Sequence, residues 1–321
     1  IRFKQLLYIF LYKLMDCEKC FSPKDVNVYY KNQKSHLSTS GKWTDDLFPP
    51  NRCSLMAQDK SGNWIDPVDG PNESYEVNEN AIEWKRATDI FPDGFKVFDK
   101  IEFEDIMQGS LGNCYFLSAI AAMCEFPGLV EDIFKTKEPN DKGFYEVAIF
   151  IDGAWNIVAI DDYFPVKKGT KEFAFTRTHG KELWVLILEK AWAKVNGGYV
   201  NIIGGISSDP FTALTSFPCD NVKHEADNID TLWEKILAAE QINDIMCTAT
   251  DNDDKKQERV GLIPGHAYTI ISAKAAIHKG KKLRLLKIRN PWGQKEWNGD
   301  WSDNSKLWTP ELKEKFDYVN A

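Results

Sequence analysis

What the 321-residue sequence lacks narrows its function before any motif is read. It has no membrane-length apolar run: the opening Ile1 to Met15 is apolar and aromatic, but Arg2, Lys4 and Lys13 interrupt it and it is too short to span a bilayer. A helix packed on the body is expected there, with an amphipathic helix or the tail of a signal as the other readings. It has no excess of positive charge, with 40 Lys and Arg against 48 Asp and Glu and a net charge of −8. That excludes a nucleic-acid partner, which needs a concentrated basic surface. It lacks an even set of cysteines. Seven of them, at Cys17, Cys20, Cys53, Cys114, Cys124, Cys219 and Cys247, do not make a secreted disulfide framework and point to a reducing cytoplasm. Cys17 and Cys20 have zinc-knuckle spacing without a second ligand pair, so two free thiols are expected. The lone sequon Asn72-Glu73-Ser74 carries no weight without other signs of secretion. No internal repeat is visible. Nothing in the sequence indicates membrane association or an oligomeric state.

What is present is a folded-protein composition, 43% hydrophobic and 27% charged, with 11 Trp, 11 Tyr and 19 Phe. The length exceeds what one core usually reaches, so two lobes with a cleft between them are expected. Residues 21–80 are dense in Pro, Asn, Ser, Gly and Asp and read as loop. Composition then changes at Cys114, where Tyr115 to Met123 is apolar almost all round and predicts a buried helix. Phe144–Phe150 and Ala154–Ile160 flank Asp152-Gly153 as a hairpin would. Glu182 to Val195 predicts a second helix, stopped by Asn196-Gly197-Gly198. Gly, Ser, Asp and Pro between Gly204 and Phe211 mark the lobe boundary. Beyond it, a helix over 229–239 and strands over 242–249, 267–273 and 282–289 are predicted. The acidic run Asp251 to Asp254 lacks the glycine and glutamate of an EF-hand, with Lys256 and Leu262 in their places, and reads as a solvated loop.

Three places carry chemistry. Cys114 stands where the glycine-bearing approach Gln108-Gly109-Ser110-Leu111-Gly112-Asn113 meets the start of the buried helix, where the helix dipole favours a thiolate. Cys124, near the far end of that helix, lies where the dipole opposes one. Of five histidines, His266 alone sits at the mouth of an apolar strand behind Pro264-Gly265. Asn290 follows the strand over 282–288, and its side-chain oxygen can hold an imidazole in one tautomer while Trp292 shields that bond from water. Each has a plainer reading as a core cysteine, a structural histidine and a turn asparagine.

Taken together, Gln108 to Leu117, Gly265-His266-Ala267-Tyr268 and Arg289-Asn290-Pro291-Trp292-Gly293 resemble the three catalytic blocks of the calpain family, in the calpain order. The likeness extends to Ile82–Arg86, Glu182–Trp184 and Leu188–Lys194, covering the chain from about residue 48 onward. His266 and Asn290 follow Cys114 by 152 and 176 residues, which agrees with the wider papain-type plan.

The resemblance implies an α+β fold, a papain-like two-lobed cysteine protease core with a helix-rich first lobe and a strand-rich second lobe. The divisions it suggests are 1–41, a segment outside the resemblance; 42–204, the nucleophile lobe; and 205–321, the His/Asn lobe, expected to be cut short at its C-terminal end. It implies a calcium-regulated endopeptidase acting on protein substrates, with Cys114 as nucleophile, His266 as general base, Asn290 as its orienter and no organic cofactor. The Gln108 side chain and the Cys114 N–H would form an oxyanion hole, and Gly205 would pair with extended substrate. Calcium ions would bind in each lobe, the first to Asp105 and Glu182 with carbonyls near Phe98 and Lys100, the second to Glu296 and Asp303. This sequence departs from the family pattern at Lys100, where glycine is usual, and at Asn113 and Tyr115, where aspartate and tryptophan are common. A non-catalytic calpain-like scaffold or calcium-binding regulatory protein is the alternative from another class. Transglutaminase-like acyl transfer is a third reading, which Asn290 in place of aspartate disfavours.

Overall fold

A computed structural model describes residues 8–12, 41–58, 64–65, 77–126, 128–224, 228–251, 258–293 and 295–318. In chain order its elements are β1 (Tyr8–Tyr12), α1 (Arg52–Leu55), β2 (Ala57–Gln58), β3 (Trp64–Ile65), β4 (Ile82–Arg86), α2 (Ala87–Ile90), α3 (Cys114–Met123), α4 (Leu129–Ile133), β5 (Phe144–Ile151), β6 (Ala154–Asp161) and β7 (Tyr163–Lys167). They continue as α5 (Trp184–Val195), α6 (Ser208–Thr215), β8 (Cys219–Lys223), α7 (Ile229–Gln241), β9 (Ile245–Ala249), β10 (Ala267–His278), β11 (Lys281–Arg289) and α8 (Pro310–Lys315). Among the described residues no helix is long and apolar enough to cross a membrane, and Cys53, Cys114, Cys124, Cys219 and Cys247 are all free thiols. Cys17, Cys20, Asn72 and residues 252–254 of the acidic run lie outside the described residues.

α3 is buried along its whole length after Cys114, because it carries apolar or small residues on every face. It stacks against α5 through Phe116 and Trp192, whose rings lie 5.7 Å apart and nearly parallel. The β5–β6 hairpin turns at Asp152-Gly153, both at positive φ, as the dipeptide predicts. α5 ends in a left-handed turn in which Gly197 N–H reaches Lys194 O and Gly198 N–H reaches Ala193 O, at φ 83° and 157°.

Residues 208–215, which overlap the composition change read as the lobe boundary, are helix. Ser208-Asp209-Pro210 is helix-start chemistry, with an acid and a proline in the first turn, and Phe211 and Leu214 supply the buried stripe.

The second half is built on one antiparallel sheet in the order β11-β10-β9-β1-β8. Here an expectation is corrected, since residues 8–12 form a strand and not a helix. Tyr-Ile-Phe-Leu-Tyr is aromatic and β-branched sequence. It fills a one-strand gap in which Phe10 faces Asn221 of β8 and Cys247 of β9, satisfying backbone groups on both sides.

One main hydrophobic cluster joins α3, the hairpin, α5 and α6 to Ile245, Cys247 and Ala267 of the large sheet. At that seam Thr269 Oγ1 donates to Ser118 O at 2.8 Å, and Cys247 Sγ lies 3.4 Å from the same carbonyl. Arg289 Nη2 reaches Phe103 O at 2.9 Å. These ties bring the first residue of α3 to the mouth of β10.

Candidate active site

The approach loop is held from several sides. Met107 and Arg177 exchange backbone hydrogen bonds, Ser110 Oγ donates to Ala174 O at 2.8 Å, and Gly204 N–H donates to Gly112 O at 2.8 Å. Gly109 is required by proximity more than by turn geometry: a Cβ there would lie 1.7 Å from the Phe175 carbonyl oxygen. The carbonyl of Asn113 starts the helix by accepting from Phe116 and Leu117 N–H at 3.0 and 3.1 Å. The Cys114 thiol is half-buried, and burial pushes its pKa up. The N–H groups of Ala267, Tyr115 and Cys114 itself pull the other way.

His266 is 1% exposed. Its backbone N–H donates to Thr250 Oγ1 at 3.0 Å, and its carbonyl accepts from Thr250 N–H at 3.0 Å. The ring Nε2 lies 2.8 Å from Asn290 Oδ1. The orientation of that amide is set by its other partners, since Trp292 N–H donates to Oδ1 at 3.0 Å and Nδ2 donates to Lys295 O at 3.3 Å. A carbonyl oxygen facing Nε2 requires the proton on Nε2, which leaves the lone pair on Nδ1. Nδ1 is buried and makes no hydrogen bond, to Cys114 Sγ included. Trp292 covers the imidazole at 4.9 Å between ring centres, and the edge of Tyr268 meets it at 4.8 Å. Burial drives the His266 pKa down to about 4, against the Asn290 bond, which favours the cation.

A cavity of about 340 Å³ opens in front of these groups, lined by Cys114, Tyr115, Gly205, Ile206, Ala267 and their neighbours. Gly205 lies flat on Tyr115, where a Cβ would come within 2.7 Å of the ring, and Tyr115 is anchored by Trp192 Nε1 at 3.0 Å from its hydroxyl. Gln108 is tied to the asparagine block, its N–H donating to Pro291 O at 3.2 Å, while its Nε2 donates to Leu111 O at 2.8 Å. One Nε2 hydrogen is left over, and Oε1 is buried without a partner.

The sequence profile described as "Calpain family cysteine protease" matches residues 43–321. The chain belongs to the calpain family. Relatives include the maize "Calpain-type cysteine protease DEK1", 33% identical over 291 residues, or 86% of this chain and 13% of that protein. The rat "Calpain-1 catalytic subunit" is 31% identical over 287 residues, covering 87% of this chain and 38% of that protein. The Arabidopsis thaliana DEK1 protease is 33% identical over 300 residues, covering 89% and 13%. The chain thus spans well under half the length of these curated relatives. For a calpain-family core the papain-like α+β architecture expected from the sequence is the one seen.

Of the calcium ligands that the resemblance implies, Asp105 and Glu182 stand near enough for the charge of one to bear on the other. Both carboxyls are raised in pKa by burial, and the charge of Asp105 raises Glu182 further. Asp105 Oδ2 accepts Glu102 N–H at 3.0 Å and Trp184 Nε1 at 3.3 Å, and Glu182 Oε2 accepts Asp99 N–H at 3.0 Å. Two neighbouring carboxylates with oxygen lone pairs to spare suit a hard cation. Lys100, however, points its ammonium at Glu102. Glu296 and Asp303 are exposed. Among the described residues no three His, Cys, Asp or Glu side chains are grouped to hold a metal ion.

Two participants escape a reading of the sequence alone. Glu189, 2% exposed, receives Asn113 Nδ2 at 2.8 Å. Thr250 braces the His266 backbone. The available signal for Glu189 was a charged pair, Glu189-Lys190, inside a helix otherwise apolar on the same faces.

Proposed function

We propose that this chain is the protease-core part of a cysteine endopeptidase that cleaves internal peptide bonds of protein substrates. The observation that carries the proposal is the histidine: Nε2 is committed to Asn290, Nδ1 is left with a lone pair and no hydrogen bond, and the next residue, Ala267, lines the same cavity as Cys114. In the reaction, Nδ1 takes the thiol proton and the sulfur forms a bond to the scissile carbonyl carbon. The resulting oxyanion is met by the Cys114 N–H and the spare Gln108 Nε2 hydrogen. The C–N bond breaks as the imidazolium returns its proton to the leaving amine, giving a thioester. A water molecule, deprotonated by His266, then attacks it and releases the acid with the thiol restored.

Burial holds both partners neutral in the present arrangement. A Cys114–His266 ion pair requires sulfur and Nδ1 to come into hydrogen-bond contact. Calcium regulation is the accompanying proposal, with Asp105 and Glu182 as the ligands best supported. A divalent cation there would offset the burial that raises both carboxyls. Free thiols at all five described cysteines support a reducing, cytoplasmic setting.

The test is cleavage of casein by the full-length protein, with and without calcium, beside Cys114→Ser. Cleavage by the wild type and none by the variant are expected. Equal cleavage by both would end the thiol mechanism. Calcium binding by calorimetry without cleavage would turn the reading to a non-catalytic scaffold. Asp105→Asn is expected to weaken that calorimetric signal at least tenfold, and an unchanged isotherm would remove Asp105 from the ligand set.

A further inference from the structure

Asn113, immediately before the nucleophile, is fully buried with φ −107° and ψ 31°, in the sparsely populated bridge region. Its ψ angle sets the plane of the peptide that carries the Cys114 N–H. The Asn113 amide is held from another element: Nδ2 donates to Glu189 Oε1 of α5 at 2.8 Å, and Oδ1 is buried with no partner. Glu189 also accepts the Thr176 N–H, at 3.3 and 3.4 Å to its two oxygens, and the Thr176 hydroxyl. Three donors therefore converge on a carboxylate that has no ion-pair partner among the described residues. Lys190, next to it on α5, spends its ammonium on Asp161 and on the Tyr163 carbonyl. Tyr199 packs nearby and stays protonated, its pKa raised by burial and by the charges of Glu189 and Asp161.

We propose that Glu189 is a positioning residue: its ionised carboxylate, acting through Asn113, holds the Cys114 N–H in the orientation that receives the oxyanion, and protonation of Glu189 loosens that hold. The proposal rests on the hydrolase reading above. In the ionised form all three donors have an acceptor. A proton taken from solvent removes the charge, and the Thr176 hydroxyl can reverse to accept the new O–H, which leaves the Asn113 Nδ2 bond on a neutral acceptor that holds it about half as strongly. Burial lifts the Glu189 pKa to about 7, placing this change near neutrality. The aspartate common in the family at this position would set a second carboxylate against Glu189, and the two would share a proton. Asn113 removes that competition.

The experiment measures kcat and KM for a peptide substrate from about pH 5 to 9 in the full-length wild type, Glu189→Gln and Asn113→Asp, with calcium present. Iodoacetamide alkylation of Cys114, which makes no oxyanion, is followed in parallel. For the wild type, kcat is expected to rise through a limb near pH 7. In Glu189→Gln that limb disappears and kcat at pH 8 falls roughly tenfold, a fraction of the loss of a whole oxyanion donor, with KM and alkylation changed less than about twofold. In Asn113→Asp the limb moves to higher pH. An active wild type with an unchanged limb and unchanged kcat in Glu189→Gln would overturn the proposal alone. If that variant failed to fold, an unmoved limb in Asn113→Asp would do the same. A wild type that cleaves nothing while Cys114 alkylates normally would overturn the hydrolase reading and the proposal with it.

Discussion

Glu189 and His266 make opposite demands on folding, and the opposition can be measured. The imidazole has a pKa of about 4 in the folded chain against 6.5 in the open chain. Between those values the unfolded state holds a proton that the folded state refuses, so stability falls as pH drops from 6.5 towards 4. At 1.36 kcal/mol per pH unit the full loss is about 3 kcal/mol. The carboxyl runs the other way, at about 7 folded against 4.5 unfolded. Between those values the folded state holds the extra proton, so stability rises as pH drops from 7 towards 4.5, again by about 3 kcal/mol. Over pH 4.5 to 6.5 the two slopes cancel, and the wild type hides both. The assay is urea unfolding of wild type, Glu189→Gln and His266→Gln at a series of pH values, read as differences so that all other groups drop out. Relative to wild type, Glu189→Gln is expected to lose roughly 3 kcal/mol on going from pH 7 to 4.5, and His266→Gln to gain a similar amount from pH 6.5 to 4. Curves parallel to wild type for both variants would refute the burial argument behind the two pKa displacements.

Packing sets three further outcomes. Gly109→Ala puts a methyl group 1.7 Å from the Phe175 carbonyl oxygen, a backbone atom that cannot swing away. A loss of about 3 kcal/mol or more in chemical denaturation is expected, and a loss below about 1 kcal/mol would contradict the described approach of the two segments. Gly205→Ala brings Cβ within 2.7 Å of the Tyr115 ring in the cavity wall. A rise in KM with little movement of the thermal midpoint is expected, and an unchanged KM would place substrate elsewhere. Lys190→Met leaves the fully buried Asp161 without its ammonium. A destabilisation of about 3 to 5 kcal/mol is expected by calorimetry, and a neutral result would show that Asp161 finds another partner.

The parts legible in the sequence are those in which one physical signal acts alone. The apolar run after Cys114, the Asp152-Gly153 hairpin and the Gly197-Gly198 stop each carry their own local instruction, and each element forms where expected. The histidine–asparagine contact was readable because the glycine, proline and tryptophan around it fix the ends of β10 and β11. α6 is not announced by the sequence because Ser, Asp and Pro suit a loop or a helix start according to the residues after them, and Phe211 and Leu214 declare their stripe only when a core is present to receive it. β1 was misread because its strand partners, residues 219–223 and 245–249, lie more than two hundred positions away. The role of Glu189 was hidden for a related reason, although the Glu189-Lys190 pair in an apolar helix hinted at it. The donors that make a buried carboxylate tolerable come from Asn113 and Thr176, and no local pattern announces them.

The seam through Ser118, Cys247, Thr269 and Ala267 has a consequence for recombination. The cleft is a notch cut into one apolar body, because residues on both of its sides belong to the same hydrophobic cluster. A chimaera that swaps one side for that of a relative must therefore carry the facing residues of α3 and β10 together. A junction drawn in the flexible-looking glycines at 204 and 205 alone would join two halves whose knobs and holes were cut for different partners.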